Sequence, residues 1–221
     1  MRTRDPETKR RQLLESALTE FAAYGVSGAR VDRVAKRAGI SAGLVYSFYE
    51  NKDGLFEAVF DLIVEQTVTT VPMNADDLGE YAGRLHDGGT THPEILRFVA
   101  WYQLERGETA TRRASTTAAM ADKVAAIADA QKRGTVTETL APGEVLALVL
   151  TLANMWQLRE PDFQDLVPRS RHRATVAEAV NRLTAPETHR TTAPSGRAHG
   201  GDRSDPSSSS TAATGGFPVR G

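Results

Sequence analysis

Residues Gly39-Ile-Ser-Ala-Gly-Leu-Val-Tyr-Ser-Phe-Tyr-Glu-Asn-Lys-Asp-Gly-Leu-Phe56 constrain this chain more tightly than any other stretch. Just ahead of them Val31, Val34 and Ala35 lie at helical spacing, and Gly39 falls where a short helix needs a left-handed exit. Ile40 then plugs a turn, and Ser41 caps a second helix whose buried side is Val45 with Phe48 or Tyr49. Ala42, Gly43, Leu44, Tyr46 and Ser47 are left to face outward. The predicted unit is therefore a helix-turn-helix, and a short helix with small residues at its leading end fits closely into a DNA major groove.

A formal net charge of -1 is unusual for a DNA-binding chain until the charge is localised. Residues 1–40 carry nine Lys or Arg (Arg2, Arg4, Lys9, Arg10, Arg11, Arg30, Arg33, Lys36, Arg37) against five Asp or Glu. The positive excess lies beside the helix-turn-helix, where neutralising phosphates releases counterions. The absence of cysteine excludes disulfides, thiol catalysis and Cys-ligated zinc. His86, His92, His172, His189 and His199 show no metal-ligand spacing, so neither a metal nor a cofactor is expected. No phosphate-cradling glycine motif or nucleophile elbow is present.

The rest of the chain reads as helical. Asp5-Pro6-Glu7 opens the first helix with a cap, an N1 proline and a first-turn acid. Leu14, Ala17, Leu18, Phe21 and Ala22 form its apolar stripe and Gly25 ends it. Asn51 caps a fourth helix that runs to about Thr70, before Pro72. Helices are predicted over about 76–86, 93–106, 112–133, 143–158 and 168–183, the second of these apolar on most faces and so central and largely buried. The expectation is an all-α chain of about nine helices: a three-helix DNA-binding domain, 7–67 with its connecting helix, and a helical domain, 73–185. Residues 186–221 change to Pro, Gly, Ser, Thr and Arg, too poor in apolar side chains to offset ordering entropy, and are expected to be a disordered tail. The longest apolar run, 145–158, is interrupted and too short to span a bilayer, and the charged N-terminus lacks a signal-peptide core. A cytoplasmic protein with no membrane partner is expected.

Gly43, Tyr46, Tyr49, Asn51, Lys52, Asp53 and Leu55 follow the pattern that closes the DNA-binding domain of the TetR family of bacterial transcriptional regulators, and the chain resembles that family over about residues 8–66. Phe21-Ala-Ala-Tyr-Gly25 and Val31-x-x-Val-Ala35 are similar to the ends of its first two helices. Where the family commonly has Thr or Ser ahead of the second helix, this chain has Ala29 and Arg30, leaving Arg30 to meet a phosphate directly. The segment from His92 to Gly107 resembles one of the family's C-terminal regulatory domain types.

The resemblance implies a homodimeric regulator, more often a repressor, that binds a palindromic double-stranded DNA operator and releases it when a small-molecule effector occupies the C-terminal domain. It implies DNA contacts from Arg30, Arg33, Ser41, Ala42, Gly43, Leu44, Tyr46, Ser47 and Lys52, with Lys52 and Tyr46 on phosphates. Trp101, Tyr102, Met120, Met155 and Trp156 are the candidate effector-pocket residues, against the alternative that they only pack a core. The 143–158 and 168–183 helices are the candidate dimer interface. Two other readings are a ligand-independent DNA-binding or protein-interaction module, suggested by a recognition face poor in hydrogen-bonding groups, and a helical enzyme, for which no catalytic constellation is found.

Overall fold

Local signals set the helix ends in the computed structural model, which describes residues 6–106, 114–157 and 166–186. Nine helices and no strand occur among the described residues: α1 (Pro6–Gly28), α2 (Val31–Ala38), α3 (Ala42–Phe48), α4 (Lys52–Thr70), α5 (Leu78–Thr91), α6 (Pro93–Arg106), α7 (Ala114–Lys132), α8 (Pro142–Ala153) and α9 (Arg169–Thr184). Of the expected tail, only Pro186 lies within the described residues. Ser41 Oγ accepts from Leu44 N at 3.2 Å and Asn51 Oδ1 from Gly54 N at 2.8 Å, so both polar caps read from the sequence form. Gly39 leaves α2 at φ 66°, and the N–H of Ile40 reaches Ala35 O at 3.0 Å. This satisfies a carbonyl that the helix end would otherwise leave open.

Two apolar cores organise the chain. The first takes Leu13, Ala17 and Phe21 from α1, Val34 from α2, Val45 from α3, and Leu55, Phe56 and Val59 from α4. Phe98 of α6 completes it, fully buried, with its ring 4.5 Å from that of Phe56, which in turn meets Phe21 edge-on at 5.0 Å. The second core takes Leu78, Tyr81 and Ala82 from α5, Ile127 and Ala130 from α7, Val145 and Val149 from α8, and Val176 and Val180 from α9. Buried Gln131 donates to Thr137 O and Leu140 O at 2.7 and 2.8 Å, pinning the α7–α8 connection.

α6 departs from expectation. Phe98 is its one fully buried residue; Leu104 is 77% exposed, and the other described side chains are half-buried or exposed. Its apolar residues go round the helix instead of forming one stripe, and α1 covers only one side of it.

Candidate DNA-binding surface

α3 is held to the first core by Val45 and by Tyr49, just past its end, while Gly43, Tyr46 and Ser47 are exposed as expected. Ala42 and Leu44 are half-buried, and Ala42 packs against the core, which narrows the face presented outward to 43, 46 and 47 with part of 44. A Cβ added at Gly43 would have nothing within 4 Å, so the leading end of α3 is open to close approach. Ser41 accepts the cap bond and still has its hydroxyl proton to donate. Ser47 Oγ donates to Leu44 O at 2.8 Å, and Tyr46 is 52% exposed.

The corner between α1 and α2 carries most of the site's polar bonding, and sequence reasoning missed two of its members. Gly25 breaks α1 at φ 67° and ψ −176°, a backbone conformation that a Cβ resists and glycine adopts readily. Its α-carbon also sits against α6: a Cβ there would lie 2.9 Å from Trp101 Cε3 and closer still to the Glu105 carboxylate. That carboxylate accepts from Val26 N at 2.8 Å and from Ser27 N at 3.3 Å, holding donors that follow the break. Glu20, 1% exposed, accepts from Arg30 N at 3.1 Å and from Arg33 Nε at 2.6 Å. It stands in for the missing Thr or Ser ahead of α2, whose N-cap Arg30 makes no side-chain cap bond. Glu20 sits one turn beyond Ala17 and two beyond Leu13, on the buried side of α1. A charged residue in apolar phase was the signal available in the sequence. Glu105 left no such signal, because its partners lie 79 and 78 residues away.

Two cations expected to contact DNA are engaged in this corner. Arg33 donates to Glu20 and to Gly28 O at 3.0 Å and stacks over Tyr24 at 4.4 Å, so its guanidinium braces the corner instead of projecting freely. Lys52 Nζ lies 3.3 Å from both Ser27 O and Ala29 O. An ammonium has three donors, so one remains for an outside acceptor. Arg30, Lys36 and Arg37 are exposed.

The five residues expected to line one effector pocket do not converge. Trp101 packs on Gly25, and Tyr102 stacks on Phe56 (5.9 Å, 11° between planes) and meets Phe60 at 4.6 Å, all at the first core. Met120, Met155 and Trp156 belong to the second core, where Trp156 stacks on His172 at 4.0 Å and donates to its carbonyl at 3.3 Å. The physical reason is the placement of α6 against α1, which directs its aromatic side to the N-terminal core. At the expected interface, Leu148 is 38% exposed on the outer side of α8, whereas Val180 is fully buried in its own core. No cluster of three or more potential metal-binding side chains occurs among the described residues. No described helix is long and apolar enough to cross a membrane.

A capped recognition helix presented beyond a glycine-centred turn, with cations on the adjoining helix, defines a DNA-binding protein of the helix-turn-helix class. Residues 13–59 match the family described as bacterial regulatory proteins of the tetR family, and residues 77–182 match the tetracyclin repressor-like C-terminal domain. The chain is 34% identical over 168 residues to the HTH-type transcriptional repressor SCO4008 of Streptomyces coelicolor, covering 76% of this chain and 87% of that one. It is 33% identical to the regulator BetI 1 of Chromohalobacter salexigens over 101 residues, 45% of each chain. Among solved structures, the putative transcriptional regulator SCO4942 of S. coelicolor superposes with a TM-score of 0.71 at 29% identity, covering 80% of this chain and 98% of that one. A TetR family regulator of Marinobacter aquaeolei VT8 shares the fold, with a TM-score of 0.69 at 20% identity, over 84% of this chain and 100% of that one. The chain belongs to the TetR family and is a DNA-binding transcriptional regulator.

Proposed function

We propose that the protein is a homodimeric repressor that binds a palindromic operator through α3 and leaves it when a small molecule occupies the C-terminal helices. The observation that carries this reading is the pair of bonds that Glu105 on α6 accepts from the backbone amides of Val26 and Ser27, five and four residues ahead of α2. A displacement of α6 is felt directly at the corner that orients the helix-turn-helix. Coupling requires that the effector prefer a conformation in which the two recognition helices of a dimer no longer match successive half-sites. On DNA, Lys52 keeps its two carbonyl partners and gives its third proton to a phosphate, Tyr46 and Ser41 donate to the backbone, and Arg30 reaches outward. Gly43 brings α3 close to the groove floor, with Leu44 and Ser47 beside it. The exposed side of α8 around Leu148, with the outer side of α9, forms the dimer contact.

Selection of fragments from the source genome by the purified protein, followed by sequencing, tests the reading. An operator bound at least about a thousandfold more tightly than random duplex at the same salt is the expected result. Equal affinity for all duplexes would overturn it.

A further inference from the structure

Among the described residues, four polar side-chain atoms of the C-terminal half are buried without a hydrogen-bond partner: Gln157 Oε1, beside His86, and Tyr81 Oη, Arg84 Nε and Thr116 Oγ1. Tyr81 is fully buried, and Arg84 lies one turn along the same side of α5. Across from them, Lys123 of α7 places Nζ 6.0 Å from the centre of the Tyr81 ring. Thr116, Met120 and Lys123 follow at i, i+4 and i+7, so they share one face of α7. Half-buried Lys123 has its pKa pulled down by burial alone, and Tyr81, raised by burial, feels only the opposing charge of Arg84; no carboxylate acts on either. Arg84 has one further bond, from a terminal nitrogen to Pro72 O at 2.7 Å.

A folded core normally pairs its buried polar atoms, and a cation left desolvated without a counter-charge is costly. Tyr81, Arg84 and Lys123 gather two cations and a hydroxyl able to donate, and Thr116 adds a second unpaired hydroxyl two turns along the same face of α7; such donors are the complement of an acceptor that carries negative charge. Leu85, Met120, Val124 and Met73 border the second core as half-buried apolar side chains. We propose that Tyr81, Arg84, Thr116 and Lys123 form a head-group site for a small molecule with a carboxylate on an apolar body, Met120 and its neighbours covering that body. The proposal names the chemical class of the effector and rests on the effector reading above.

Decanoate, decan-1-ol and decyltrimethylammonium, titrated calorimetrically into the full-length protein, separate charge from apolar burial. Decanoate is expected to bind about tenfold or more tightly than the alcohol, the range of one charge-assisted hydrogen bond, and the ammonium weakest. Lys123→Met is expected to lose that preference while raising the melting temperature of the free protein, because it removes an unpaired desolvated charge. Tyr81→Phe should weaken decanoate binding without weakening binding of the alcohol. No binding of decanoate, equal binding of all three probes, or a lower melting temperature for Lys123→Met would each overturn the site. Decanoate that binds with this preference yet leaves a genome-selected DNA fragment bound would uphold the site and overturn the effector reading. Release of that fragment by decanoate, unaltered in Lys123→Met, would uphold the effector reading and overturn the site.

Discussion

Gly25→Ala places a methyl group where the chain has positive φ and where α6 leaves no room. The conformation, positive in φ and extended in ψ, alone costs an L-residue about 1–3 kcal/mol. The new Cβ would also approach Trp101 Cε3 to 2.9 Å and press into the Glu105 carboxylate, which must withdraw from Val26 N and Ser27 N. Losing a hydrogen bond to a charged acceptor adds about 1.5–3 kcal/mol. The expected loss is therefore about 3–4 kcal/mol, or roughly 10 °C in melting temperature for a chain of this size. Urea and thermal unfolding measure it. The control is Gly43→Ala, at a helical position with open space around the added methyl, which should gain about 0.5–1 kcal/mol while reducing DNA affinity. A double-mutant cycle then isolates the contact: with Glu105→Ala already made, Gly25→Ala should cost about 1–2 kcal/mol less than it does alone. Strict additivity, or a loss below about 1 kcal/mol for Gly25→Ala, would refute the reasoning.

Lys52→Met and Tyr46→Phe should weaken binding to every duplex with little change in sequence preference, and Lys52→Met should lower the salt slope by roughly 1; gel shifts over a salt series check both, and wild-type affinity for either variant would remove it from the phosphate contacts. Leu148→Arg should give folded monomers with much weaker operator binding, read by sedimentation with circular dichroism, whereas Val180→Asp should destabilise the fold by more than about 4 kcal/mol because it buries a charge; a dimeric Leu148→Arg protein would rule out this interface. His86 is buried, and desolvation lowers its pKa below the ordinary 6.5. The unfolded chain then takes up the proton first as pH falls, so the stabilisation is present above about 6.5 and lost on acidification through the folded value. Melting curves between pH 7 and pH 5 should show this decline, and it should be shallower in His86→Asn.

The helix-turn-helix was legible because its determinants are local. Gly39, Ser41 and Asn51 each act within about five residues of themselves, and Val31, Val34 and Ala35 repeat in helical phase. The braces of the α1–α2 corner depend on chain folding: Arg33 meets Glu20 from the preceding helix, and Glu105 arrives from α6. The family resemblance implied a DNA contact from Arg33 but could not show the carboxylate beside it. Composition also misled where apolar residues go right round a helix, as in α6, since partial covering then leaves Leu104 in solvent. Helix phase separates Leu148 from Val180 within the candidate interface: Val176, Val180 and Thr184 recur every four residues on the buried side of α9, while Leu148 lies at the edge of the α8 face that buries Val145, Leu146, Val149 and Ala153.

The position of Phe98 bears on how such regulators can be recombined. The ring belongs to a helix of the C-terminal half, yet it is packed among Phe21 and Phe56 of the N-terminal half. A chimaera that joins this chain's first 70 residues to another relative's remainder inherits a foreign side chain in that slot, and a foreign partner for the Val26 and Ser27 amides. Exchange of operator specificity between relatives is therefore mechanically free only at the exposed positions of α3. Grafting a whole N-terminal half requires the facing residues of α6, Phe98, Trp101, Tyr102 and Glu105, to travel with it.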